Sequence, residues 1–108
     1  MTAVVLAASV AALADPCDQA ASYDRAVCFY REGRLTDAAA EFLPMAKREA
    51  SPEGIRAFYF LARIRMKEGR WKEASVLLAE IYHRSPDFYR SWSCDFLLGE
   101  CRRAMGKG

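Results

Sequence analysis

Residues 31–35 read Arg-Glu-Gly-Arg-Leu, and residues 67–71 read Lys-Glu-Gly-Arg-Trp. A basic-acidic-glycine-basic-apolar pentamer that returns after 36 positions is an internal period. A period of that length restricts a chain to architectures that stack one supersecondary unit on the next. Reading backwards from each glycine, Asp15-Pro16, Ser51-Pro52 and Ser85-Pro86 recur, each with an acid close behind at Asp18, Glu53 and Asp87. Asp or Ser caps orphan backbone N–H groups, Pro is tolerated at the first helical position, and an early acid suits the positive end of the helix dipole. Three helix starts are therefore written. Pro16 to Gly33 and Pro52 to Gly69 are each seventeen residues, whereas Pro86 to Gly106 is twenty.

Glycine enters the left-handed conformation at little cost, and basic residues favour the negative end of a helix, so Gly33, Gly69 and Gly106 read as helix stops. After the first two, a return helix begins. Ala38, Phe42 and Met45 form one apolar stripe, and Ala74, Leu78 and Ile81 repeat it at the same offsets, which is the spacing of a helix buried on one side. The expected helices are 16–32, 37–50, 52–68, 73–84 and 86–105, with a kink at Pro44, which lacks an N–H to donate. Small residues at Ala26, Ala62 and Gly99 are expected to let neighbouring helices approach at Ala38 and Ala74.

Paired helices at this period, with a large apolar residue, a small pair, a stopping glycine, then Ala, a large apolar residue and Pro, resemble the tetratricopeptide repeat (TPR). The better copy supplies Phe58, Leu61-Ala62, Gly69, Ala74, Leu78 and Pro86, with Arg65 in place of the usual aromatic. The earlier copy supplies Ala26, Phe29, Gly33, Ala38 and Phe42, with Ser22 and Arg25 where large apolar residues are usual. The last keeps Leu98-Gly99 and Gly106. Sel1-like repeats share the period but carry a richer glycine pattern, absent here. The resemblance covers residues 16–106 and implies an all-α, right-handed antiparallel helix-pair solenoid: two TPR-like repeats plus a C-terminal capping helix. It also implies that the first helix of each pair lines a groove for a protein or peptide segment. The implied groove residues are Tyr23, Val27, Tyr30, Arg31, Arg56, Tyr59, Arg63, Met66, Lys67, Phe96 and Arg103. Aromatics offer apolar area with a polar edge and the cations pair with carboxylates, so an acidic segment is the expected partner. Some members grip a C-terminal carboxylate through asparagines; this chain has no Asn. An alternative is structural: Phe88, Tyr89, Trp92 and Phe96 would build a homo-oligomer or larger envelope assembly.

Residues 1–14 carry no charged side chain, and Ala3 to Leu13 is an unbroken small and apolar run ending in Ala12-Leu13-Ala14. That suits a signal peptide core and its cleavage site, and is too short to span a bilayer. No Lys or Arg precedes the run, so the signal is either incomplete or atypical. Asp15 and Pro16 exclude a lipoprotein reading of Cys17. The expected location is the bacterial periplasm, or the cytoplasm if the run is not a signal, with the folded unit spanning 15–108. Four cysteines, an even number, agree with export. On straight helices, however, Cys17 and Cys28 would lie about 16 Å apart and Cys94 and Cys101 about 10 Å apart, beyond the roughly 7 Å a disulfide tolerates. Cys17 and Cys28 can close only if the first helix starts late, near Ser22; otherwise Cys28 and Cys101 read as buried thiols.

Sixteen basic and fourteen acidic residues leave a net charge of +2, too little for a whole-molecule field that would draw in nucleic acid. No metal site is expected from one histidine and no CxxC spacing. No cofactor or catalytic constellation is expected either; His83 reads as an ordinary residue near a helix end.

Overall fold

The computed structural model describes residues 16–48 and 51–106, so the expected signal segment, Asp15 and the third glycine's last two neighbours lie outside the described residues. The described residues are helical throughout, with no strand. A 3-10 turn, Pro16–Gln19, precedes six α-helices: α1 Ser22–Arg31, α2 Leu35–Ala46, α3 Pro52–Lys67, α4 Trp71–Arg84, α5 Pro86–Ser91 and α6 Cys94–Ala104. Each α-helix packs on the next along the chain, and α4 also packs on α6.

The repeated pentamers make the same joint twice. Gly33 and Gly69 have φ of +77° and +76°. Gly33 N–H donates to the Tyr30 carbonyl and Arg34 N–H to that of Phe29; Gly69 N–H donates to Met66 and Arg70 N–H to Arg65. This paired pattern satisfies the last carbonyls of a helix and requires a left-handed residue at its centre. Gly106 shows the part of it that falls within the described residues, a φ of +75° and a bond from its N–H to the Arg103 carbonyl. The joints are only three residues long, so α2 and α4 return antiparallel to α1 and α3. The second basic residue of each pentamer bonds the helix it follows through its backbone N–H but directs its side chain chiefly to the next helix. Arg34 and Arg70 occupy the position just before the next helix and form ion pairs with Asp37 (3.0 Å) and Glu73 (2.6 Å) in its first turn. The return helices accordingly begin at Leu35 and Trp71, two residues before the expected 37 and 73.

The serine caps behave as read: Ser51 Oγ accepts from Glu53 N–H and Ser85 Oγ accepts from Phe88 N–H. Two expected first helices are nonetheless broken. The chain after Pro16 makes only a 3-10 turn before α1 starts at Ser22, so the helix expected over 16–32 is shorter by a turn and a half. The helix expected over 86–105 is interrupted at Trp92 and Ser93, where Ser93 adopts a left-handed φ of 55°. The third segment carries three more residues between its proline and glycine than the others, and the interruption absorbs them. The second helix ends at Ala46 rather than 50, with Pro44 in its last turn.

Two apolar clusters form the core. The first joins Phe29, Ala38, Phe42 and Met45 to Ala57, Leu61 and Ile64; the second joins Ala62, Ala74, Leu78 and Ile81 to Cys94, Leu97 and Cys101. Thus α3 buries two stripes, one on each side, and Phe58 and Leu77 touch both clusters. This explains why α3 is the one unbroken first helix. Ala26, Ala38, Ala62 and Ala74 are all completely buried, as close helix approach demands. Gly99 is not a member of that set. A Cβ there would meet only the Arg103 side chain at 3.6 Å, because among the described residues no return helix follows α6. The tight approach occurs instead at Gly54, where a Cβ would lie 2.5 Å from the Arg48 carbonyl oxygen.

Candidate functional site

The face of α3 opposite its buried stripes carries Arg56, Phe60, Arg63 and Lys67. At 100° per residue these positions fall within a narrow strip, and at 1.5 Å rise Arg56 to Lys67 spans about 16 Å. Alongside runs Tyr23, Val27, Tyr30 on α1, at the i, i+4, i+7 spacing of one helix face. Phe60 fills the space between them, edge-on to Tyr23 and Tyr30 at 6.3 and 5.3 Å and stacked on Phe42 at 5.0 Å. The cations then sit on the tyrosines. Arg56 lies 5.6 Å from the Tyr23 ring centroid, Arg63 5.7 Å from Tyr59, and Lys67 5.7 Å from Tyr30, within the range of cation–π attraction.

Most of the molecule's arginines off this face are ion-paired, Arg31, Arg48 and Arg102 being the exceptions among the described residues. Arg25, Arg34, Arg65, Arg70, Arg84, Arg90 and Arg103 are each paired with a carboxylate. Among the described residues no carboxylate comes within ion-pair distance of Arg56, Arg63 or Lys67. Arg63 Nη1 instead donates to the Tyr59 hydroxyl at 2.8 Å. Burial opposes the Arg63 charge, but Tyr59 and Tyr30 outweigh it and hold the guanidinium above its usual pKa. Burial also raises the Tyr23 pKa, partly offset by Arg56.

Of the residues expected to line a groove, Tyr23, Tyr30, Arg56, Tyr59, Arg63 and Lys67 are brought together. Val27 packs on the first cluster and Met66 on the second. Arg31 is exposed at the end of α1. Phe96 does not reach Tyr59: it is 61% exposed, and the rings beside Tyr59 are Trp92 at 4.8 Å and Phe88 at 6.3 Å, themselves stacked at 4.6 Å. The break at Ser93 is the cause: Phe96 follows it, on α6, which packs on α4, whereas Phe88 and Trp92 precede it, so counting back from Gly106 reaches the segment after the break and not the one beside Tyr59. Counting forward from Pro86 by the seven residues that separate Pro16 from Tyr23 and Pro52 from Tyr59 lands on Ser93 itself, next to Trp92. Arg103 is exposed and neutralised by Glu100 at 3.1 Å.

Two clefts flank α3. One, of about 400 Å³, is lined by Tyr23, Ile55, Arg56, Phe88 and Trp92 and continues the aromatic face. The other, of about 470 Å³, lies on the far side among Leu43, Leu61, Val76 and Leu77. Its rim arginines, Arg65 and Arg70, are already held by Glu68 and Glu73, which leaves Lys72 as its one lining cation outside an ion pair among the described residues.

Cys17 and Cys28 are joined in a disulfide with Cα atoms 5.5 Å apart, which the late start of α1 permits. Glu32 lies close to both sulfurs, but sulfurs bonded to each other are not thiolate ligands, so the trio does not constitute a metal centre. Cys94 and Cys101 are free and completely buried; burial pushes the Cys94 pKa up to about 11 and raises that of Cys101. His83 is exposed beside Tyr82. No helix among the described residues is long and apolar enough to cross a membrane. Comparison with protein-family models, with curated proteins and with solved structures gives no match.

Proposed function

We propose that this chain is a TPR-like helical-repeat module that binds an acidic protein segment along the face formed by α1, α3 and α5. The carrying observation is the stripe of Arg56, Arg63 and Lys67, each against a tyrosine and none beside a carboxylate among the described residues, whereas seven other arginines are held in ion pairs. A cation held over an aromatic ring keeps most of its charge for a ligand, whereas one in an ion pair has spent it. Phe88 and Trp92 add apolar area at one end, and the adjoining cleft is large enough for one side chain. The repeated glycine joints, the antiparallel returns and the buried alanines support the solenoid arrangement. The Cys17–Cys28 disulfide supports an oxidising compartment, hence export to the periplasm.

Selection of displayed peptides on the folded domain tests this reading. Acidic segments carrying an apolar residue should be enriched, and the double variant R63E/K67E should lose them while its helical circular dichroism stays unchanged. Sequences without an acidic bias, or undiminished binding by the variant, would defeat it. The second reading, a self-associating envelope subunit, draws on exposed Phe96 and Tyr82, 61% and 51% accessible. Light scattering that returns a monomer at high protein concentration removes it.

A further inference from the structure

We infer that Tyr30, Tyr59, Arg63 and Lys67 form a site for a single oxyanion, the carboxylate or phosphate group of a bound segment. The inference rests on the groove proposed above and names the chemistry of its anchor. Arg63 and Lys67 stand one turn apart on α3 with like charges and no neutralising carboxylate among the described residues. The nearest acid in sequence, Glu68, is occupied: it accepts from Arg65 Nη1 at 2.9 Å and from Arg70 Nη1 at 3.4 Å.

The tyrosines supply donors. Tyr59 Oη accepts from Arg63, so its own proton is directed elsewhere. Tyr30 Oη is closed off from solvent and makes no well-aligned hydrogen bond, with the Arg63 guanidinium near enough for a weak one. A buried hydroxyl with so poorly aligned a partner carries much of its desolvation penalty. One oxyanion placed among these groups accepts from the guanidinium, the ammonium and the Tyr59 hydroxyl, and from Tyr30 Oη once a small side-chain shift uncovers it, and relieves the repulsion between the two cations. The other end of the stripe differs. Arg56 has the Tyr23 ring but no second cation and no unpartnered hydroxyl, so the anchor is confined to the C-terminal half of α3.

The test is an NMR titration of the whole chain with acetate, inorganic phosphate and a blocked tetraglutamate peptide, at constant ionic strength against chloride. Tyr30 and Tyr59 ring signals and the Arg63 Nε–H signal report the site. Acetate and phosphate should both shift these signals saturably. R63Q and Y30F should each weaken binding roughly tenfold, the change expected for one hydrogen bond to a charged group. Y30F should leave the melting temperature unchanged or raise it, since its hydroxyl makes no well-aligned hydrogen bond in the free protein. Absence of a saturable shift beyond chloride would overturn the site, as would Y30F binding with native affinity. Phosphate binding without acetate binding supports the site and assigns a phosphorylated segment as its source; comparable binding assigns an acidic side chain. Tetraglutamate binding no tighter than acetate leaves the site standing and removes the groove reading.

Discussion

Replacing Gly54 and Gly99 by alanine should move stability in opposite directions, although both glycines lie within helices. At Gly54 the new Cβ would stand 2.5 Å from the Arg48 oxygen and 3.2 Å from that of Met45. Both are backbone atoms at the end of α2, so neither can swing aside as a side chain would, and α3 must slide by about an ångström or the end of α2 must move. Overpacking of that kind costs about 1–3 kcal/mol, with a backbone obstacle toward the upper end. Alanine recovers up to about 1 kcal/mol of helix propensity. The balance is a loss of about 2 kcal/mol, which in a domain of this size lowers the melting temperature by about 10 °C. At Gly99 the nearest atom is the mobile Arg103 guanidinium at 3.6 Å, an ordinary contact, so only the propensity gain remains and the midpoint should rise by about 5 °C. Thermal and urea melts followed at 222 nm measure both. If Gly54→Ala melts at or above the wild-type temperature, or if both variants shift the same way, then α3 does not lie against α2 as described. The spacing of Arg56 and Lys67 from Tyr23 and Tyr30 would fall with it.

Other consequences are separable. Reducing Cys17–Cys28, or the change Cys17→Ser, should cost about 3 kcal/mol for a loop of eleven residues' separation, and hydrogen exchange should show the loss concentrated in the 3-10 turn and α1. Ser51→Ala and Ser85→Ala each remove an observed cap bond and should each cost about 1 kcal/mol in urea melts. Because the Cys94 pKa is raised by burial from 9.0 to about 11, the unfolded chain sheds this proton before the folded one does. The thiol's contribution to stability is therefore complete below pH 9 and lost as pH rises toward 11. Denaturant midpoints across that window should fall, and Cys94→Ala should flatten the decline. Native Cys94 and Cys101 should also resist iodoacetamide at neutral pH until denaturant opens the second cluster.

What the sequence made legible divides along physical lines. Gly33, Gly69 and Gly106, with the serines before Pro52 and Pro86, act through bonds to residues a few positions away, and they behave as their spelling implies. The breaks at residues 20–21 and 92–93 do not. Ser22 and Arg25 stand where an apolar stripe would normally continue, and Arg25 is held by Glu41 on α2 at 2.9 Å, a contact no local pattern foretells. Ser93 belongs to no residue class that favours a left-handed backbone, and only the three-residue excess between Pro86 and Gly106 hinted at it. The candidate site followed suit. Tyr23, Tyr30, Arg56, Tyr59, Arg63 and Lys67 lie on segments whose register is fixed by nearby glycines, and they were read from their offsets. Phe88, Trp92 and Phe96 straddle the break, so the offset misassigned them. Whether Arg63 or Arg103 has a carboxylate beside it depends on tertiary placement, and separates two arginines that the sequence presents alike.

The joints at Gly33 and Gly69 are built from the chain's own backbone: a Cβ at either position would meet nothing within 4 Å, so no distant element props the corner open. The stretch 34–69 is thus a cassette with matching connectors, entering after one such corner and leaving through another at the same dihedral angle. A second copy spliced in after Gly69 should meet a compatible surface at both ends. The length of the binding face would then be an adjustable quantity, with one further Arg-Phe-Arg-Lys stripe added for every 36 residues inserted.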